Sequence, residues 1–255
     1  MALIHALLPD QREDTYLLLF QKLVSVCESL GLLFSPRECV LDFEIAAHNA
    51  ISRFFPTTRL TGCRFHLGQA WWRQIQALGL ADAYKNRESV VAIWLTRFFG
   101  LPFLHPDEVE ESFAENIMSD APQLPSTASF ADYIVEQYID VHARFPPSIW
   151  AGIPSNSPRT NNAAESYHRS LNAEFYMPHP NIFVLADTLL KRQAMTYIQL
   201  RSLRQRGRVY VDVAARQQFL ETTQSKYVQG FITRRHSLQS ISYRFTPVIN
   251  TAFMI

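Results

Sequence analysis

Residues 37–66 read RECVLDFEIAAHNAISRFFPTTRLTGCRFH, and this stretch decides the fold class. Its opening, RECVLDFE, sets Cys39, Val40 and Leu41 in a row and reads as a short strand ending at Asp42. Residues 43–54 then read as a helix. It stops before Pro56, because a residue that precedes proline avoids the helical backbone. TRLTGCRFH, residues 58–66, reads as the next strand. A strand, a helix and a strand in so short a span predict an α/β chain with at least one parallel crossover.

The pattern extends both ways. Upstream, ALIHALL (residues 2–8) is a short apolar run closed by Pro9 and reads as a buried strand. Between Asp14 and Leu33, Leu17, Phe20, Leu23, Val24 and Cys27 recur at helical spacing, with Gly31 where a helix should end. Downstream, LGQAWWRQIQALGL (residues 67–80) is a helix with Leu67, Ala70, Trp71, Ile75 and Leu78 on one side. Trp72 lies off that stripe. Residues 86–150 hold helical segments over 90–99, 106–118 and 130–143, punctuated by prolines, and no strand pattern. They read as an all-helical insertion. Residues 162–175 and 181–206 read as two further helices, and SISYRFTPVINTAFMI (residues 240–255) is strand-like.

Apolar residues make up 47% of the 255 and charged residues 18%, enough for a real core. The net charge of +1 neither requires nor excludes nucleic acid, since a basic face can sit within a neutral total. Three scattered cysteines do not make a disulfide framework and read as reduced thiols. No apolar run approaches the roughly 20 residues of a membrane span, and the start does not resemble a signal peptide. An intracellular protein, nuclear or cytoplasmic and without membrane partner, is the expectation.

Two carboxylates stand out, each with an ordinary explanation. Asp42 sits between a strand and a helix, where Asp is a normal N-cap. Glu165, in SPRTNNAAESYHRSLN (residues 157–172), lies three residues after Asn162 and four before Arg169. A capping box and a helical ion pair would account for it. The second explanation is chemical. Sites form at the carboxyl ends of strands in open α/β sheets. A carboxylate there, with another on a later helix, is how two-metal phosphoryl-transfer sites are built, and Mg2+ favours such oxygen ligands.

Cys63 and His66 have half of a zinc site's spacing, with His168 as the best third ligand and His105 and His179 as less motivated ones. A buried thiol beside a helix-start histidine is the preferred explanation, since two ligands without a matching pair do not make a zinc site. No acid lies between Asp187 and Asp212, a stretch holding Lys191, Arg192, Arg201, Arg204, Arg206 and Arg208. These side chains could neutralise DNA phosphates, or could simply form a solvated helix end.

VLDFEIAAHNAISRFFP, then LTGCRFHLGQAWWRQIQALGL, then a helical stretch, then RTNNAAESYHRSLN resemble, in this order, the Mutator-like (MULE) transposases and genes derived from them. The resemblance runs from residue 1 to about 190. It implies a ribonuclease-H-like core with a helical insertion before its last acidic helix. It also implies DNA cleavage and joining by an Asp-Asp-Glu triad holding Mg2+ or Mn2+. Carried over by position, Asp42 is the second acid, Glu165 the third, and Cys63 and His66 the Cys-x-x-His motif. Transposon-end DNA is the implied partner, and a homo-oligomer is open.

On this resemblance, residues 1–80 are a partial core from its third strand onward and 81–158 the insertion. Residues 159–206 return to the core, and 207–255 are a tail without an assigned structure. ALIHALL takes the third-strand place, so the first two strands and the first catalytic Asp are expected upstream of residue 1. The chain as given is therefore expected to be inactive in DNA cleavage. The alternative is a non-catalytic DNA- or protein-binding module on the same scaffold.

Overall fold

The protein is described by a computed structural model covering residues 4–152, 170–177, 180–202 and 211–245. Glu38–Leu41 form strand β1 and Arg59–Gly62 form β2, paired as a two-stranded parallel sheet. The pairing is fixed at its start. The Arg59 N–H donates to the Arg37 carbonyl at 3.0 Å, and the Arg59 guanidinium meets the Glu38 carboxylate at 2.6 Å. The Thr58 hydroxyl donates to the Pro36 carbonyl at 2.6 Å. Parallel neighbours need a crossover, and the helix Ile45–Phe54 lies in that connection.

In chain order the helices are α1 (Glu13–Ser29), α2 (Ile45–Phe54), α3 (Arg64–Ala77), α4 (Ala81–Lys85), α5 (Val90–Phe98) and α6 (Val109–Ser112). They continue with α7 (Pro125–Ile134), α8 (Pro147–Trp150), α9 (Ile182–Ser202), α10 (Val211–Val228) and α11 (Arg234–Phe245). Wider π turns prolong α6 and α7, over Phe113–Ile117 and Val135–Ile139.

Three sequence expectations need correction. Residues 4–8 form no strand, and Ile4 and Leu7 are exposed. A strand needs a neighbour for its N–H and C=O groups, and among the described residues the sheet consists of β1 and β2. The strand expected over 58–66 ends at Gly62, because Leu67, Trp71 and Ile75 form the buried stripe of a helix that begins at Arg64. Residues 240–245, expected as strand, close α11. Leu238 and Ile241 are buried there at helical spacing.

The chain divides into two compact units, Met1–Arg59 with Thr160–Tyr210, and Leu60–Arg159 with Val211–Ile255. In the first unit, α1 packs on α2 through aromatic rings. Phe20 lies 6.1 Å from Phe54 and 5.7 Å from Phe55. Gly31, just past the C-cap of α1, has a φ of +69° that lets the Leu32 N–H return to the Cys27 carbonyl at 2.8 Å. Among the described residues of this unit, only His48, Ala50 and Ile51 are buried.

The second unit carries the larger core. Trp71, Trp94, Trp150, Phe98, Phe103 and Phe130 are fully buried. The Trp94 indole N–H donates to the Ile117 carbonyl and that of Trp150 to the Phe145 carbonyl, each at 3.0 Å. Trp72, off the apolar stripe, lies 5.2 Å from Tyr84 of α4. α11 packs on α5, and its Arg234 reaches Glu111 of α6 at 2.8 Å. Asp120 pairs with both Arg97 of α5 and Arg235 of α11.

Candidate functional site

Asp42 follows β1 directly and is exposed. It is not the N-cap of α2, as the sequence suggested. Glu44 holds that position, and its side chain makes no capping bond. The Glu44 carboxylate instead accepts the Tyr16 hydroxyl of α1 at 2.8 Å. Burial, together with that carboxylate, pushes the Tyr16 phenol up to about 12. The backbone carbonyl of Asp42 lies 2.7 Å from His48 Nε2 on α2. A ring nitrogen facing a carbonyl carries the hydrogen, so Nε2–H is the donor. The segment after β1 is thus pinned by α1 at Glu44 and by α2 at Asp42, which steadies the backbone carrying the Asp42 carboxylate. Neither Tyr16 nor His48 was picked out from the sequence: Tyr16 is distant along the chain, and His48, though in the same stretch as Asp42, has no ligand-like spacing to it.

Burial pushes His48 below its ordinary value, outweighing the opposite pull of its bond to Asp42 and of the Asp42 and Glu44 charges. Below about pH 6.5 the unfolded chain takes up this proton and the folded chain resists it, so stability falls as the pH falls. His48→Gln, which keeps a donor, should lose less stability between pH 7 and pH 5 than the parent chain. Thermal midpoints over that range check this, and parallel slopes for the two proteins would refute it.

Cys63 is the N-cap residue of α3 and is buried, while His66 stands in the first turn of α3, half-buried, its ring 5.5 Å from Phe65. The two share one end of one helix, and a thiolate and an imidazole suit zinc, but a closed structural site needs four ligands. Asp42 belongs to the first unit and Cys63 and His66 to the second. Glu165, His168 and His179 lie outside the described residues. His105 is exposed, its Nδ1 3.3 Å from Asp107.

The basic residues divide by environment. Arg192 is enclosed: its guanidinium bonds Glu174 and Ser170 at 2.8 Å, and its side chain is 15% exposed. Lys191 is exposed and pairs with Asp187 one turn earlier. Arg201 is exposed, its guanidinium 4.4 Å above the Tyr197 ring. Arg204, Arg206 and Arg208 lie outside the described residues.

Residues 1–70 match the family model of the MULE transposase domain. Over these 70 residues the chain is similar to a Mutator-like transposase domain. The MULE match takes in β1, α2, β2 and the first half of α3, and with them Asp42, Cys63 and His66. No curated protein and no solved structure matches the chain. Among the described residues, no helix is long and apolar enough to cross a membrane.

Proposed function

We propose that this chain serves DNA strand cleavage and transfer as part of a Mutator-like transposase, with Asp42 and Glu165 as two carboxylates of an Asp-Asp-Glu site on a ribonuclease-H-like core. The observation that carries the proposal is the match over residues 1–70, which places a MULE transposase domain around the Asp42 strand end. An exposed carboxylate on a pinned strand end fits a hard cation that takes oxygen ligands. Bound there, Mg2+ or Mn2+ ions would activate water or a 3′-hydroxyl and stabilise the leaving oxygen. The part of the protein is to hold Asp42 still and to bring DNA to it. Arg204, Arg206 and Arg208 supply positive charge for phosphates.

We further propose that the 255-residue polypeptide does not cut DNA by itself, because no acid before Asp42 can serve as the first of the triad. Asp10 precedes α1 and is held by Arg12 and Thr15, Glu13, Asp14 and Glu28 lie on α1, and Glu38 pairs with Arg59. Incubation of supercoiled plasmid with the purified chain and Mg2+ or Mn2+ should show no nicking. Metal-dependent nicking abolished by Asp42→Ala would overturn the inactivity and keep the role of Asp42. Calorimetric titration with Mn2+ tests that role separately: Asp42→Ala should weaken binding, and unchanged binding would remove Asp42 from the site. Charge reversal at Arg204 and Arg206 should lower the dependence of DNA affinity on log salt by about 2, at about 0.9 per phosphate contact. An unchanged slope would remove this stretch from the DNA contact.

A further inference from the structure

We propose that α9 pairs antiparallel with α9 of a second copy of this chain. Along α9, Leu185, Thr188, Leu189, Arg192 and Thr196 are half-buried and mark the face turned inward. The opposite face is apolar and open. Phe183, Leu190 and Tyr197 are 82%, 65% and 54% exposed, and they recur every seven residues. Ala186, Gln193 and Leu200 follow each of them by three and are exposed as well. Alternating steps of three and four build the seam on which two helices pack side by side. The 21 residues of α9 extend about 30 Å, long enough for three such layers. A contiguous apolar strip of this kind on a folded surface marks a contact.

Charge selects the occupant. Asp187, Ala194 and Arg201 lie on one edge of the seam, each one position after Ala186, Gln193 and Leu200. In an antiparallel pair with its two-fold axis beside Ala194, Asp187 of each copy meets Arg201 of the other. The two small Ala194 side chains sit between these pairs and let the helices approach. A parallel pair would set Asp187 against Ile182 and Arg201 against Thr196, leaving both charges unmatched. The surface is therefore complementary to itself in one orientation, as a two-fold interface requires. Among the described residues Asp187 is held by the exposed Lys191, a weak surface pair that a partner's charge can replace.

Sedimentation of the full 255-residue protein over a range of concentrations tests the proposal. The expected result is a reversible dimer. Leu190→Glu, on the open face, should give a monomer with an unchanged circular dichroism spectrum. Arg201→Asp should weaken the dimer about tenfold or more, through two like-charge contacts per pair. Adding Asp187→Arg to that variant should restore the dimer, and the recovery also shows that the protein is folded. A monomer at every concentration would overturn the proposal. So would a dimer indifferent to Leu190→Glu, or a charge exchange that fails to restore what Arg201→Asp removed.

Discussion

Trp71→Ala is expected to cost the second unit about 3–5 kcal/mol of folding stability, the range for removing a large aromatic from a packed core. Trp71 is completely buried. Its ring meets Phe99 at 5.7 Å, Tyr138 at 5.8 Å and Trp150 at 5.9 Å, so it joins α3 to the helices that follow it. Three large rings cannot all move into the space left by one indole, and a cavity remains. Its indole nitrogen has no hydrogen-bond partner among the described residues. Trp71→Phe therefore forfeits packing alone and should cost distinctly less. Chemical denaturation of the three proteins, fitted for unchanged slope, checks the order. Trp71→Ala within about 1 kcal/mol of the parent would show that the site collapses or that the core does not depend on it.

Gly100→Ala should be damaging although it adds a single methyl group. A Cβ at residue 100 would stand 2.8 Å from Leu238 Cδ1 and 2.9 Å from the Leu238 backbone oxygen. The Leu238 side chain can rotate away, but the carbonyl belongs to α11 and cannot move without the helix. Relief of the overlap requires α11 to withdraw from α5, at a cost of about 1–3 kcal/mol. In a chain of this size the thermal midpoint would fall by roughly 2–4 °C per kcal/mol. Leu238→Ala in the same background should recover only part of the loss, since the contact with the carbonyl remains. Full recovery would place the strain in the side chain instead.

Much of the second unit was legible in the sequence. The stripe Leu67, Trp71 and Ile75, the helical character of residues 86–150 and the mainly packing role of the tryptophans all follow from apolar periodicity, which local backbone geometry enforces. β1, α2 and β2 were legible for the same reason, with prolines and glycines as boundaries. What failed were short apolar runs. ALIHALL and the residues before 246 carry strand-compatible side chains, yet one finds no neighbour in the described sheet and the other continues a helix packed on α5. Four to eight apolar residues do not choose between the two states until something packs against them.

The candidate site divides in the same way. The sequence by itself determined that an acid closes the strand at residue 42, and that Cys63 and His66 are spaced by one helical turn. It also set the order in which these motifs match a MULE transposase domain. These are properties of spacing along one chain. Only the tertiary structure decided that Asp42 is no helix cap, since Glu44 takes that position. It also decided that His48 and Tyr16 hold the segment around Asp42, and that Arg192 is bound internally to Glu174. Each of those facts depends on side chains from separate elements coming within hydrogen-bond distance. The partner of a charge or a carbonyl is set by packing between elements, and packing between elements is not written in local periodicity.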